Sequence, residues 1–262
     1  MLQRADNVNQ MILNIRSFIT RWESRLAFVS VVAFSVLLSP GLAFGGAVSD
    51  CDNIQITSDD LSVAEAEEYC LYAVRERKKV EAFWGPTWKE TIHIDVDSSY
   101  KISKALITKT RGFMEMPLTR VRERTGALLH EIVHIYAPNG NRFLAEGLAV
   151  HLQDKAGANP AFPNFGKDLR ALARDTLSQV DSLDRLNNVS SPRPLSTVME
   201  QRAAYILAGA FVGFLIEKYG LPMFRNLYAT TGSYGETYAK SLSALEQEWR
   251  NESPRSTRIR NR

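Results

Sequence analysis

His130 and His134 stand four positions apart, with Glu131 directly after the first, in Leu128-Leu129-His130-Glu131-Ile132-Val133-His134. Leu128, Leu129, Ile132, Val133 and Tyr136 recur around them at helical spacing, and on a helix positions four apart lie one above the other. Two imidazoles on one face can share a metal ion, and nitrogen donors at this spacing suit zinc. Twelve residues after His134 comes Glu146, in Phe143-Leu144-Ala145-Glu146-Gly147. Pro138 and the turn-forming Asn139-Gly140-Asn141 lie between. They predict a second helix from about Phe143 to Lys155 that folds back and carries Glu146 to the open side of the histidine pair. Three protein ligands with a fourth position left for water is the arrangement of catalytic zinc. Glu131 stands where it could take a proton from that water. The chemistry these residues could do is metal-assisted hydrolysis.

The rest of the chain must position those groups. Ser62 and Glu65 form a capping box, and Val63, Ala66, Cys70, Ala73, Val74, Val80 and Trp84 follow at helical spacing. Residues 61–84 therefore predict an amphipathic helix ending at Gly85-Pro86. Thr91 to Asp97 alternates apolar and polar residues, the period of a strand, with His93 on its solvent face. Residues 105–110 and 112–116 predict short strands of the same sheet. Arg111-Gly112-Phe113-Met114 is the candidate edge at which an extended substrate could add as another strand; the alternative is an ordinary hairpin. One helix is expected from Pro117 through Tyr136. Beyond a Pro-, Asn- and Gly-rich loop the chain reads as helical over 167–186, 201–219, 222–229 and 236–251, with a linker at 190–194. Residues 253–262 read as a disordered basic tail. The fold class expected is α+β: a small N-terminal mixed sheet with a helix, an active-site helix pair and an all-helical C-terminal lobe. Residues 47–252 form one domain in this reading, with lobes at 47–137 and 138–252 and the site between them.

Composition bounds the remaining possibilities. The 262 residues are 45% hydrophobic and 23% charged, which is ordinary for a globular protein. Residues 1–46 differ: Arg4, Arg16, Arg21 and Arg25 precede an apolar run from Leu26 to Leu38, then Pro40 and the small residues Ala43, Gly45 and Gly46. That order is a secretory signal peptide, with an uncleaved membrane anchor as the alternative. Without those residues Lys+Arg falls from 32 to 28 and Asp+Glu from 29 to 27, so the net charge drops from +3 to +1. No general argument for a nucleic-acid partner survives. Membrane contact is expected only if the segment stays uncleaved. The location expected is periplasmic or extracellular. In an oxidising compartment the two cysteines, Cys51 and Cys70, predict a disulfide; two unrelated buried thiols are the other reading.

His130-Glu131-Ile132-Val133-His134 followed by Phe143-Leu144-Ala145-Glu146-Gly147-Leu148-Ala149-Val150-His151-Leu152 resembles the gluzincin zinc peptidases, especially the small peptidase MA-like domains related to the thermolysin and aminopeptidase families. The resemblance continues more weakly through Ala204 to Gly220 and a Leu245…Glu248-Trp249-Arg250 ending. It implies a zincin-like fold, zinc held by His130, His134 and Glu146, Glu131 as general base, and a peptide or protein substrate. In aminopeptidase relatives a tyrosine on a later helix stabilises the oxyanion; Tyr205 is the matching candidate, although its spacing to Gly209 is one residue longer than in that pattern. Thermolysin-type enzymes carry an acid four residues after the third ligand to orient a histidine. Here that residue is Val150, leaving Asp154 or a backbone carbonyl for the task. His151 reads as a helix-surface residue, with a donor role toward substrate as the alternative. Gly112-Phe113-Met114-Glu115-Met116 partly echoes the aminopeptidase segment that captures a substrate N-terminus and ends in Met where that pattern has Asn; aminopeptidase activity is not inferred from it. The function expected is an exported zinc metallopeptidase. A non-catalytic zinc-bearing envelope module is the competing reading.

Overall fold

Alternation along Ile92–Asp97 buries Ile92, Ile94 and Val96 on one face of a strand and leaves Asp95 exposed on the other. Around it a computed structural model describes residues 46–106, 111–156, 160–177, 182–187 and 198–252. β1 (Ala47–Cys51) and β2 (Ile54–Ser58) form an antiparallel hairpin. Its two turn residues, Asp52 and Asn53, both have positive φ, as the twist of a two-residue hairpin requires. β2 runs parallel to β3 (Ile92–Asp97), which demands a crossover, and α1 (Val63–Trp84) supplies it. Ser62 and Glu65 close the predicted capping box at its start, and Gly85 caps its end. A disulfide between Cys51 and Cys70, with Cα atoms 6.1 Å apart, ties β1 to α1.

β5 (Phe113–Pro117) pairs parallel with β3, and β4 (Lys104–Leu106) pairs antiparallel with β5, giving the order β1-β2-β3-β5-β4. The edge on this side is therefore β4. Phe113 and Met114, expected at the edge, are enclosed: Phe113 pairs with His93 and Leu106, Met114 with Ile94 and Ala105. The edge expectation at 111–114 is thus corrected. Residues 107–110, also expected as strand, lie outside the described residues. His93 stacks on Phe113 and bonds to Gln55. The inner face, with Ile54, Ile56, Ile92, Ile94, Val96, Met114 and Met116, forms the core with α1.

The single helix expected from Pro117 to Tyr136 is two: α2 (Leu118–Glu123) and α3 (Leu128–Tyr136). Arg124 is left-handed, at φ 56°, and the carbonyl of Arg120 accepts from both Thr125 and Gly126, which ends α2. Gly126 fits because a side chain there would begin 2.8 Å from Met116 Cε. All nine residues of α3 are buried, so it runs through the core and not along its surface. α4 (Arg142–Lys155) follows, capped by the Asn141 side chain on the Leu144 N–H.

The remaining described elements are helical: α5 (Leu169–Leu177), α6 (Asp184–Asn187), α7 (Val198–Tyr219), α8 (Leu221–Ala229), α9 (Tyr234–Tyr238) and α10 (Leu242–Glu252). Two expected helices are therefore divided. The one expected over 167–186 appears as α5 and α6, with 178–181 outside the described residues. The one expected over 236–251 breaks at Ala239, which is left-handed at φ 53°, and restarts where Ser241 caps the Ala244 N–H. Among the described residues no helix is long and apolar enough to cross a membrane. The signal segment up to residue 45, the 190–194 linker and the basic tail lie outside the described residues.

Candidate metal centre

The site begins with how α3 is held. The last carbonyls of a helix have no partner within it, and here three distant side chains supply them. Arg111 donates to the Ile135 carbonyl at 2.6 and 3.0 Å, Thr87 to Tyr136 at 2.6 Å, and Tyr228 to Ala137 at 2.6 Å. The positive guanidinium also suits the negative end of the helix dipole. The turn into α4 is fixed as firmly: Asn139 accepts from the Asn141 N–H at 2.7 Å and donates to the Tyr228 carbonyl at 2.6 Å.

These anchors bring His130, His134 and Glu146 together. His130 Nε2 lies 3.0 Å from Glu146 Oε2, His134 Nε2 lies 3.3 Å from the same oxygen, and the two ring nitrogens are 3.1 Å apart. Donors bound at about 2.0–2.2 Å to one tetrahedral ion sit about 3.3–3.6 Å from each other. The observed triangle matches one face of that tetrahedron to within a few tenths of an ångström. Two imidazole nitrogens facing each other and a carboxylate are a poor apolar core and a natural cation site. Both histidines are buried, and the Glu146 side chain keeps 16% of its exposure. Burial alone would raise the Glu146 pKa, but its bonds to His130 and His134 outweigh this and hold it well below the usual carboxylate range. Burial likewise opposes charge on His134, yet its bond to Glu146 and the charges of Glu146 and Glu131 leave its pKa raised. An ionised carboxylate is what a metal ligand must be.

Glu131, on the same helix, is buried, and its Oε2 accepts the backbone N–H of Ala105 at 2.8 Å. Ala105 is the central residue of β4, so the sheet edge reaches directly to the acid beside the histidines. Tyr205, on α7, comes to the same place. Its ring stacks over His130, with centroids 6.1 Å apart and planes 17° from parallel, and meets Phe162 edge-on at 5.2 Å. Its hydroxyl accepts from Arg142 Nη2 at 3.1 Å. Burial and the Glu146 carboxylate raise its pKa, against the pull of Arg142.

Two sequence expectations about the surroundings, an orienting role for Asp154 and a surface position for His151, are settled differently. Val150 is packed against α7: a side chain built on Gly209 would start 2.8 Å from its Cβ. A side chain built on Gly147 would likewise start 2.7 Å from the Ala208 carbonyl oxygen, so α4 and α7 pack closely here. An acid at position 150 would be buried in that seam. Asp154 does not reach the histidines; it accepts from Asn164 at 2.9 Å, because eight residues along a helix is about 12 Å from Glu146. His130 Nδ1 has no hydrogen-bond partner among the described residues. His151, expected on the helix surface, is buried against Gly213, with the Phe83 ring 6.1 Å away. Burial, aided by Lys155 and Arg170 and opposed by Glu217, pushes its pKa down to about 4.

Two groups at the site escaped sequence reading. Arg142 was visible as a basic residue four positions before Glu146, a spacing that pairs charges on a helix. The Ala105 N–H has no sequence signature at all.

No protein-family model and no curated protein matches the sequence. In structure, the chain is similar to solved M1 zinc metallopeptidases. A mutant of the Deinococcus radiodurans enzyme bound to a Tyr-Ser-Ala substrate is 16% identical, with a TM-score of 0.45, over 75% of this chain and 47% of that one. The M1 zinc metallopeptidase from the same organism is 19% identical, with a TM-score of 0.40, over 76% and 46%. A two-domain M1 mutant bound to L-tryptophan is 15% identical, with a TM-score of 0.46, over 78% and 48%. The chain spans about half the length of these structures.

Proposed function

We propose that this protein is a zinc-dependent peptidase. The observation that carries the reading is the donor triangle of His130, His134 and Glu146 with the Glu131 carboxylate beside it. Zinc held by those three residues would act as a Lewis acid, lowering the pKa of water toward neutrality and polarising the scissile carbonyl. Glu131 takes the proton of the attacking water and passes it to the leaving amine. Tyr205 offers its hydroxyl to the oxyanion as the carbonyl becomes tetrahedral. An extended peptide is the substrate class that suits a sheet edge, here β4, running up to the general base. We propose export for the same chain, on the order of basic, apolar and small residues in its first 46 positions.

The substitution that separates chemistry from folding is Glu131→Gln. Zinc content should persist while hydrolysis of a mixed peptide library disappears; hydrolysis at the unsubstituted rate would overturn the mechanism. The non-catalytic module is favoured by one observation, the His130 Nδ1 that has no partner among the described residues, since metal-bound histidines ordinarily donate that proton to a carboxylate or carbonyl. It predicts zinc without hydrolysis, and no competition between a peptide and a zinc-binding hydroxamate.

A further inference from the structure

Arg142 is the first residue of α4, and its side chain is 39% exposed at the rim of the site. Its Nε lies 3.4 Å from Glu146 Oε1. The other oxygen of that carboxylate, Oε2, is the one that faces His130 at 3.0 Å and His134 at 3.3 Å. The two oxygens are thus divided between a guanidinium and the metal-type donors. The same guanidinium spends a second N–H on Tyr205, at 3.1 Å. Tyr205 has little freedom to answer by swinging away, because its ring is held between His130 and Phe162.

Two consequences follow from elementary chemistry. A carboxylate with both oxygens free can turn, or can bind an ion through either oxygen or both. A cation on Oε1 removes that choice and leaves Oε2 as the single ligand atom. A phenol oxygen that accepts from a fixed N–H is held in place, and the Tyr205 hydroxyl is also within hydrogen-bonding reach of the Glu146 carboxylate. Arginine suits both tasks at once, since its N–H groups form a rigid fork; a lysine ammonium can serve one partner as a point charge but not both in fixed geometry. An ordinary exposed pair four residues apart on a helix contributes little. This pair differs in that the side chain of its acid is only 16% exposed and its base makes a second contact across to α7.

We infer that Arg142 is a positioning residue: it fixes which oxygen of Glu146 faces the metal and holds the Tyr205 hydroxyl beside that carboxylate. The inference rests on the reading of His130, His134 and Glu146 as a zinc site, and adds to it the group that sets the geometry of the third ligand.

The test uses the full chain in four forms: unsubstituted, Arg142→Ala, Arg142→Lys and Tyr205→Phe. Zinc affinity is measured by competition with a chelating indicator, ligand geometry by the visible spectrum of the cobalt-substituted protein, and turnover by kcat and KM on a peptide. Loss of a group that orients a metal ligand typically weakens metal binding by about 10–100-fold, which is the expectation for Arg142→Ala, with an altered cobalt spectrum. Arg142→Lys keeps a cation for Glu146, so its zinc affinity should stay within about threefold while kcat falls as far as in Tyr205→Phe and KM changes little. Tyr205→Phe should weaken zinc binding less than Arg142→Ala does. An Arg142→Ala protein with unsubstituted zinc affinity and cobalt spectrum overturns the inference alone. An unsubstituted, folded chain that binds no zinc overturns the zinc reading on which it stands.

Discussion

The backbone N–H of Ala105 donates to Glu131 Oε2 at 2.8 Å, so a strand at the edge of the sheet holds the acid that stands beside the two metal-type histidines. Because Ala105 faces Met114 across β4 and β5 while its N–H points to Glu131, that N–H lies on the open side of the edge.

Proline at position 105 removes this donor without removing a side chain, and an edge strand tolerates proline where its N–H faces outward. A hydrogen bond to a charged group is worth about 1.5–3 kcal/mol, so Ala105→Pro should lower kcat/KM by about 10–100-fold. Zinc content should not change. Steady-state kinetics with metal analysis on the same sample checks both.

The seam between α4 and α7 predicts a compensating pair. A methyl at Gly209 would start 2.8 Å from Val150 Cβ, an atom fixed to the α4 backbone, and 3.3 Å from Leu169 Cδ2. Gly209→Ala should destabilise the fold by about 1–3 kcal/mol, the usual cost of overpacking, and Val150→Ala should restore part of it. Denaturant unfolding of the two single variants and the double variant measures the coupling. Additive losses would show that the two helices adjust independently.

His151 predicts a pH dependence of stability. In the folded chain its pKa is pushed down to about 4, against 6.5 for the unperturbed ring, so the folded state keeps the neutral imidazole where the unfolded state already takes up a proton. The contribution is complete above pH 6.5 and is lost as pH falls toward 4. The loss amounts to roughly 3 kcal/mol. Lys155 and Arg170 oppose the charged ring and Glu217 favours it, and burial dominates all three. Thermal unfolding of His151→Gln should lack this part of the acid dependence; identical curves for both proteins would contradict it.

What could be read in advance follows a physical line. Elements whose pattern is local were legible: the capping box of Ser62 and Glu65, the alternation of Ile92 to Asp97, the turn at Asn139 to Asn141. The positions of His130, His134 and Glu146 were legible for the same reason, since helical spacing and one turn decide them. Helix breaks at Arg124 and Ala239 were not, because each adopts a left-handed backbone without being a glycine. Arginine and alanine carry no such mark in sequence; tertiary packing imposes it. The edge strand was misplaced because periodicity tells that 113–117 is a strand but not which strand lies outside it. Val150 and His151 were read as departures or surface residues, whereas the glycines of α7 that enclose them lie about sixty residues away. Ala105 acts through its backbone, which every residue shares.

The measurement that reaches the central claim most directly is a zinc titration of the metal-free chain, following bound metal and peptide hydrolysis together. Hydrolysis should rise in proportion to occupancy and saturate at one zinc per chain, and Glu146→Ala should abolish tight binding and activity alike. Zinc that binds at one per chain while hydrolysis stays at background, or hydrolysis that proceeds in the metal-free chain, would contradict the account.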